Sequence, residues 1–108
     1  MKAAELQLGN LVMLGDKIIR VDAIHKRKVG YHARFDKLNF VFEDRLNPIP
    51  LTTEIIEKNG FKSELGLGGR FILEIESFNC RIKFSAIDYV HELQNTLTLC
   101  KIYKKIIL

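Results

Sequence analysis

The sequence predicts an α+β fold: an N-terminal antiparallel, SH3-like curled sheet, a short central helix, a second β-hairpin and a C-terminal helix. Three observations carry the prediction. Short strand-like runs joined by turns fill positions 5–43, with apolar and polar residues alternating from Val29, prolines at 48 and 50 interrupt them, and apolar residues at helical spacing appear near the other end. At 108 residues the chain is of single-domain size. It is expected to form one domain over 1–108, with the curled sheet over 1–47 and the helix, hairpin and helix over 51–108.

The segment 5–24 reads as two short strands joined by a Gly15-Asp16 turn. His25-Lys26-Arg27-Lys28 then forms a basic turn, after which Val29, Tyr31, Ala33 and Phe35 alternate with Gly30, His32, Arg34 and Asp36, as in a half-buried strand. In that alternation Tyr31 and Phe35 take the core face, and His32 and Arg34 face outward. The turn-like Asp36-Lys37 leads to a run in which Leu38, Phe40 and Phe42 share one face, so the two runs are expected to pair as a second hairpin. Four consecutive antiparallel strands need one covered face to be stable, which a small SH3-like half-barrel supplies.

Asn47-Pro48-Ile49-Pro50 breaks the ladder, because proline lacks an N–H and holds the preceding residue extended. Thr52 or Thr53 is a good N-cap, Glu54 and Glu57 suit the positive end of a helix, and Asn59-Gly60 supplies a left-handed stop. A two-turn helix over about 53–59 is predicted. The segments 70–76 and 80–84 alternate around Ser77-Phe78-Asn79 and predict a hairpin. Ser85-Ala86-Ile87-Asp88 matches a capping box, with Ile87, Val90, Leu93 and Leu97 at helical spacing, so the last helix is predicted from near Ala86 to about Lys104.

With 47% hydrophobic and 28% charged residues and a mean hydropathy of +0.02, the composition is that of a folded globular chain rather than a disordered one. The longest early apolar run, Leu11 to Leu14, is too short for a signal core or a membrane span. Cys80 and Cys100 lack metal-ligand spacing and fit a reducing compartment as buried small side chains, with a bridge between them left open. A cytoplasmic protein without membrane contact is expected.

The formal charge is +4, and residues 17–45 alone hold eight Lys and Arg against four Asp and Glu. The excess is local. Within it Lys26, Arg27, Lys28, Tyr31, His32 and Arg34 interleave cations with aromatic side chains, the ingredients of phosphate contact and base stacking. They are the candidate binding residues for a nucleic acid or another anionic partner, with Tyr31 as the stacking ring if it is exposed. The stretch echoes the aromatic-rich strand of RNA-recognition sheets, though without its second small residue and central aromatic. A plain solvated turn is the competing reading.

The remaining constellations favour structure over chemistry. Gly66-Leu67-Gly68-Gly69-Arg70 precedes a strand, whereas phosphate-cradling loops precede a helix, so it is expected to be a connecting loop from Phe61-Lys62 to the strand at Arg70. His91, Gln94 and Asn95 share a helical face, where solvent exposure or hydrogen bonding to a loop is expected. No nucleophile elbow surrounds either cysteine, and the acidic pairs sit on outer strand faces, so no catalytic residue, metal or cofactor is expected. The apolar 102–108 segment, with Lys104 and Lys105, suits burial against a second copy.

Leu8-Gly9-Asn10-Leu11-Val12, Asn47-Pro48-Ile49-Pro50-Leu51-Thr52, Asn59-Gly60-Phe61 and Tyr89-Val90-His91-Glu92-Leu93-Gln94-Asn95 stand in an order and spacing that resembles a family of small uncharacterised proteins of Bacteroides-type gut bacteria and their phages or mobile elements. The resemblance spans about positions 5–95 and departs after Asn95, where Thr96-Leu97-Thr98-Leu99 replaces the family's aromatic-rich turn and Thr-Gly stop. It implies a bacterial, intracellular, phage-related protein, and no site residue. The function expected is a non-enzymatic binding or accessory module working through the basic turn 25–37. A rival from another class is a protein-interaction or homo-oligomer subunit working through its C-terminal helix.

Overall fold

The computed structural model describes residues 1–33, 37–65, 71–77, 80–102 and 104–108, with the side chains of 63–65, 75–77 and 80–86 left aside. The chain forms two compact units, Met1–Ile49 and Pro50–Leu108. Together they make a mixed α/β protein whose described strands form three antiparallel three-stranded sheets, none of them a closed barrel.

In the first unit β1 (Leu11–Leu14) and β2 (Lys17–Arg20) pair antiparallel around Gly15-Asp16, with Leu14 opposite Lys17 and Gly15 at φ 63. Positive φ at that turn is why glycine serves there. The expected second strand is in fact broken: after β2 the chain bends at Val21-Asp22 into β3 (Ala23–His25), which belongs to a different sheet. Backbone bonds hold the bend on both sides, from the Val21 N–H to the Asn10 carbonyl (2.8 Å) and from the Asp22 N–H to the Gly30 carbonyl (2.8 Å). The approach to β1 is fixed by Asn10, whose Oδ1 accepts from the Gln7 N–H at 2.9 Å.

β4 (Lys28–His32) lies between β3 and β5 (Leu38–Phe42). A single 3₁₀ turn, Glu43–Arg45, then delivers β6 (Leu46–Asn47) to the free side of β1. Ala3, Leu6, Val12, Ile19, Val21, Val29 and Leu46 form the buried core of this unit.

The second unit starts where proline ends the ladder. Thr52 caps α1 (Thr53–Lys58), its Oγ1 accepting from the Ile55 N–H at 3.2 Å. The helix ends with Gly60 at φ 78, the Gly60 N–H on the Glu57 carbonyl and the Phe61 N–H on the Ile56 carbonyl. That is a Schellman stop, as Asn59-Gly60 predicts. β7 (Lys62–Leu65), read from sequence as loop, pairs with β8 (Phe71–Ser77), which pairs in turn with β9 (Cys80–Ile87). The Asp36-Lys37 turn, the glycine-rich 66–70 loop and the Phe78-Asn79 loop fall wholly or partly outside the described residues.

Two boundaries of the last helix are corrected. Ser85-Ala86-Ile87-Asp88 is not a capping box, because Ser85 and Ala86 continue β9 and Ile87 pairs with Phe71. α2 begins instead at Val90, with the Glu92 carboxylate accepting from the N–H groups of Asp88 and Tyr89, each at 3.1 Å. At its other end α2 (Val90–Leu99) does not reach Lys104. Lys101 adopts φ 57, its N–H bonds the Thr98 carbonyl and the Ile102 N–H bonds the Leu97 carbonyl, a second Schellman stop with lysine where glycine is usual. The stripe Ile87, Val90, Leu93 and Leu97 is buried as its spacing requires, and Cys100 carries a free thiol beside the helix end.

Beyond α2 the chain is pinned by α1. The buried Asn59 side chain bonds both the N–H (2.7 Å) and the carbonyl (2.8 Å) of Ile107, and Lys58 reaches the Leu108 carbonyl. Lys104 bonds the Asn59 carbonyl and lies over the Phe61 ring, while Ile106 is buried. Among the described residues no helix is long and apolar enough to cross a membrane.

Candidate nucleic-acid interface

The β3–β4–β5 sheet has one face toward the core of its unit and one toward solvent, and its register decides which side chains go where. Ile24, Val29 and Val41 stand in one row, and Val29 is fully buried. Tyr31 shares this face by alternation, is half-buried and packs on the core cluster. Tyr31 is therefore not on the exposed face. The opposite parity places His25, Lys28, Gly30, His32, Leu38, Phe40 and Phe42 on the outer face.

That outer face joins cations and rings. Phe40 and Phe42 are 48% and 57% exposed, unusual for phenylalanine. The Lys28 ammonium sits 4.9 Å above the Phe42 ring centroid. Phe40 extends over Gly30: a Cβ there would meet Phe40 Cε1 and Ala23 Cβ at 3.0 Å and Leu38 Cδ1 at 3.2 Å. A residue with no side chain lets the ring lie against the sheet.

Lys26 and Arg27 form the two-residue loop between the paired His25 and Lys28. Lys26 takes φ 55, a conformation that costs a non-glycine residue about 1–2 kcal/mol. Arg27 Nε donates to Glu43 Oε1 at 2.8 Å, and the other carboxylate oxygen accepts from the Ala3 N–H at 2.7 Å. The Ala3 N–H and then Arg27 hold the Glu43 carboxyl below its ordinary range.

Asp22 marks the other rim. Its Oδ2 accepts from His32 Nδ1 at 2.7 Å and from the His32 N–H at 3.1 Å, and its Oδ1 accepts from Arg20 Nε at 2.9 Å. The His32 hydrogen bond is the main reason the Asp22 carboxyl lies below its ordinary range, with Arg20 adding to it. An ionised carboxylate only accepts, so Nδ1 carries the proton and Nε2 remains for an outside partner. The Asp22 and Glu43 carboxylates are thus engaged by cations, the exposed Asp44 also acts on Arg27, and Lys26 and Lys28 remain exposed.

Of the sequence-predicted residues, Lys26, Arg27, Lys28 and His32 gather on this rim and face, Tyr31 is on the inner face, and Arg34 lies outside the described residues. The sequence alone does not single out Phe40 and Phe42 as binding residues. Their parity with Gly30 and Lys28 follows only once the β4–β5 register is known.

On the polar stretch of α2, Gln94 and Asn95 are half-buried and His91 is not solvent-exposed. His91 is buried and its ring stacks on Tyr89 at 5.8 Å between centroids, 13° from parallel. Among the described residues no cluster of three or more His, Cys, Asp or Glu is gathered as a metal site requires. Comparison with protein-family models, curated proteins and solved structures finds no match to this chain.

Proposed function

We propose that the protein is a non-enzymatic nucleic-acid-binding module that takes the phosphate backbone on the basic rim of the β3–β4–β5 sheet. The observation that carries the reading is the outer face itself. Lys28 lies over the exposed Phe42 ring, Lys26 stands in the adjoining loop, and the nearby carboxylates of Asp22 and Glu43 are already occupied by Arg20, His32 and Arg27. Charge that is not cancelled locally attracts a polyanion.

Backbone strain adds support. Glycine or asparagine at position 26 would relieve the left-handed turn, yet a lysine stands there. The reading takes the first unit as an SH3-like curled sheet, supported by the bend at Val21-Asp22 that carries one run from the β1–β2 pair into the next sheet. It also keeps the bacterial, cytoplasmic and phage-related setting that the sequence resemblance implies. The rival, a homo-oligomer working through α2 and the end of the chain, has only Leu99 and Ile107 there as strongly exposed apolar side chains among the described residues.

Fluorescence anisotropy of a labelled duplex at several salt concentrations, with wild type and K26A/R27A/K28A, tests the proposal. Loss of the phosphate contacts of Lys26 and Lys28 flattens the log–log salt slope by about 1.8, since Arg27 is held by Glu43. Absence of binding at low salt, or a slope unchanged in the variant, contradicts it.

A further inference from the structure

Phosphate attraction alone does not distinguish a single strand from a duplex, but the two rings do. Phe40 and Phe42 stand two residues apart on one face of β5, a separation of about 6.8 Å along the strand. That is twice the roughly 3.4 Å advance per nucleotide along each strand of a duplex. Neighbouring bases therefore meet both rings only when they are splayed apart, as they are in extended single strands. Duplex base faces are covered by adjacent pairs, and only their edges reach the grooves.

Resting on the nucleic-acid reading of this face, we infer that a single strand lies across β5 with successive bases stacked on Phe40 and Phe42. Gly30 is the floor of the platform, because any Cβ there meets Phe40 and Ala23 at 3.0 Å and lifts the ring. Lys28 covers Phe42. An exposed cation–π contact is worth about 2- to 5-fold. A base stacked on an aromatic ring is worth about 5- to 150-fold. The base displaces the ammonium, which swings to a phosphate. A second copy is the weaker occupant, since self-pairing of this face brings Lys26 and Lys28 against the same cations of the other copy.

The test uses the full chain and labelled dT12, rU12 and a 12-base-pair duplex at one low salt concentration. Wild type is expected to bind the single strands more tightly than the duplex. F40L/F42L, which keeps apolar bulk, is expected to lose at least about 5-fold on the single strands, the product of two of the weakest stacks (about 25-fold) less the cation–π contact a base displaces from Phe42 (about 5-fold), with duplex binding unchanged. F40Y/F42Y restores the affinity. The chain has no tryptophan, so in F42W the new indole is expected to be quenched saturably by dT12. This readout decides the matter should F40L/F42L fail to fold.

Equal binding of strand and duplex, indifferent to F40L/F42L, overturns the stacking and leaves the charge-based reading standing. No binding of any probe overturns both. A rise in mass with concentration that F40L/F42L abolishes, without F42W quenching by dT12, assigns the face to a second copy and overturns the inference.

Discussion

Replacing Asn59 with alanine removes the side chain that fixes the end of the chain to α1. Asn59 is 3% exposed and makes three hydrogen bonds, to the Ile55 carbonyl at 2.7 Å and to the carbonyl and N–H of Ile107 at 2.8 and 2.7 Å. At roughly 1 kcal/mol net for each bond the full loss is about 3 kcal/mol. Two features reduce it. Ile107 is 55% exposed, so its backbone groups regain water, and the Ile55 carbonyl keeps the Asn59 N–H as a partner. The expected cost is about 2–3 kcal/mol. Urea unfolding followed by circular dichroism measures it as a lower midpoint at unchanged slope. Affinity for nucleic acid is expected to hold under folding conditions, because the β3–β4–β5 sheet belongs to the other unit. A loss below about 0.5 kcal/mol would refute the reasoning, since it would mean that the three bonds are fully replaced by water.

The two lysines with left-handed backbones separate stability from binding. Relief of about 1–2 kcal/mol of strain, less about 0.4–1 for the added freedom of an unfolded glycine, gives Lys101→Gly and Lys26→Gly each a gain of about 0–1.6 kcal/mol in urea unfolding. Lys26→Gly is also expected to flatten the single-strand salt slope by about 0.7, and Lys101→Gly to leave it alone. Acid is expected to weaken the first unit. Asp22 and Glu43 have folded pKa values below their unfolded ones, so their contribution is whole above about pH 5 and is lost as pH falls through the folded values. Thermal melts from pH 7 downward are expected to lose stability over that range, and D22N/E43Q to lose less.

Much of the fold was legible because local chemistry and global structure agree. Gly15-Asp16 turns the first hairpin, Pro48 and Pro50 end the first set of strands, and Thr52 and Gly60 bracket α1, each for a reason contained within a few residues. The misreadings occur where distant partners decide. Ser85 to Asp88 looks like a cap until Phe71 claims Ile87 as a strand partner. The end of α2 was hidden because lysine, not glycine or asparagine, occupies the left-handed position. β7 is four residues long and too brief to show its period.

The site was half legible for the same reason. Local charge exposed the basic loop, and alternation correctly sends His32 outward and Tyr31 inward. In β5, however, Val41 lies between two phenylalanines, so hydrophobicity alone cannot say which face turns to solvent. Pairing of Val41 with the fully buried Val29 settles it and turns the rings outward.

The measurement that tests the central claim most directly is an amide ¹H–¹⁵N correlation spectrum titrated with dT12. Shifts concentrated in β3, β4 and β5, largest around Lys26 to Gly30 and Phe40 to Phe42, are predicted, with α2 and 102–108 unmoved. Shifts centred on α2, or none at saturating strand concentration, would contradict the account.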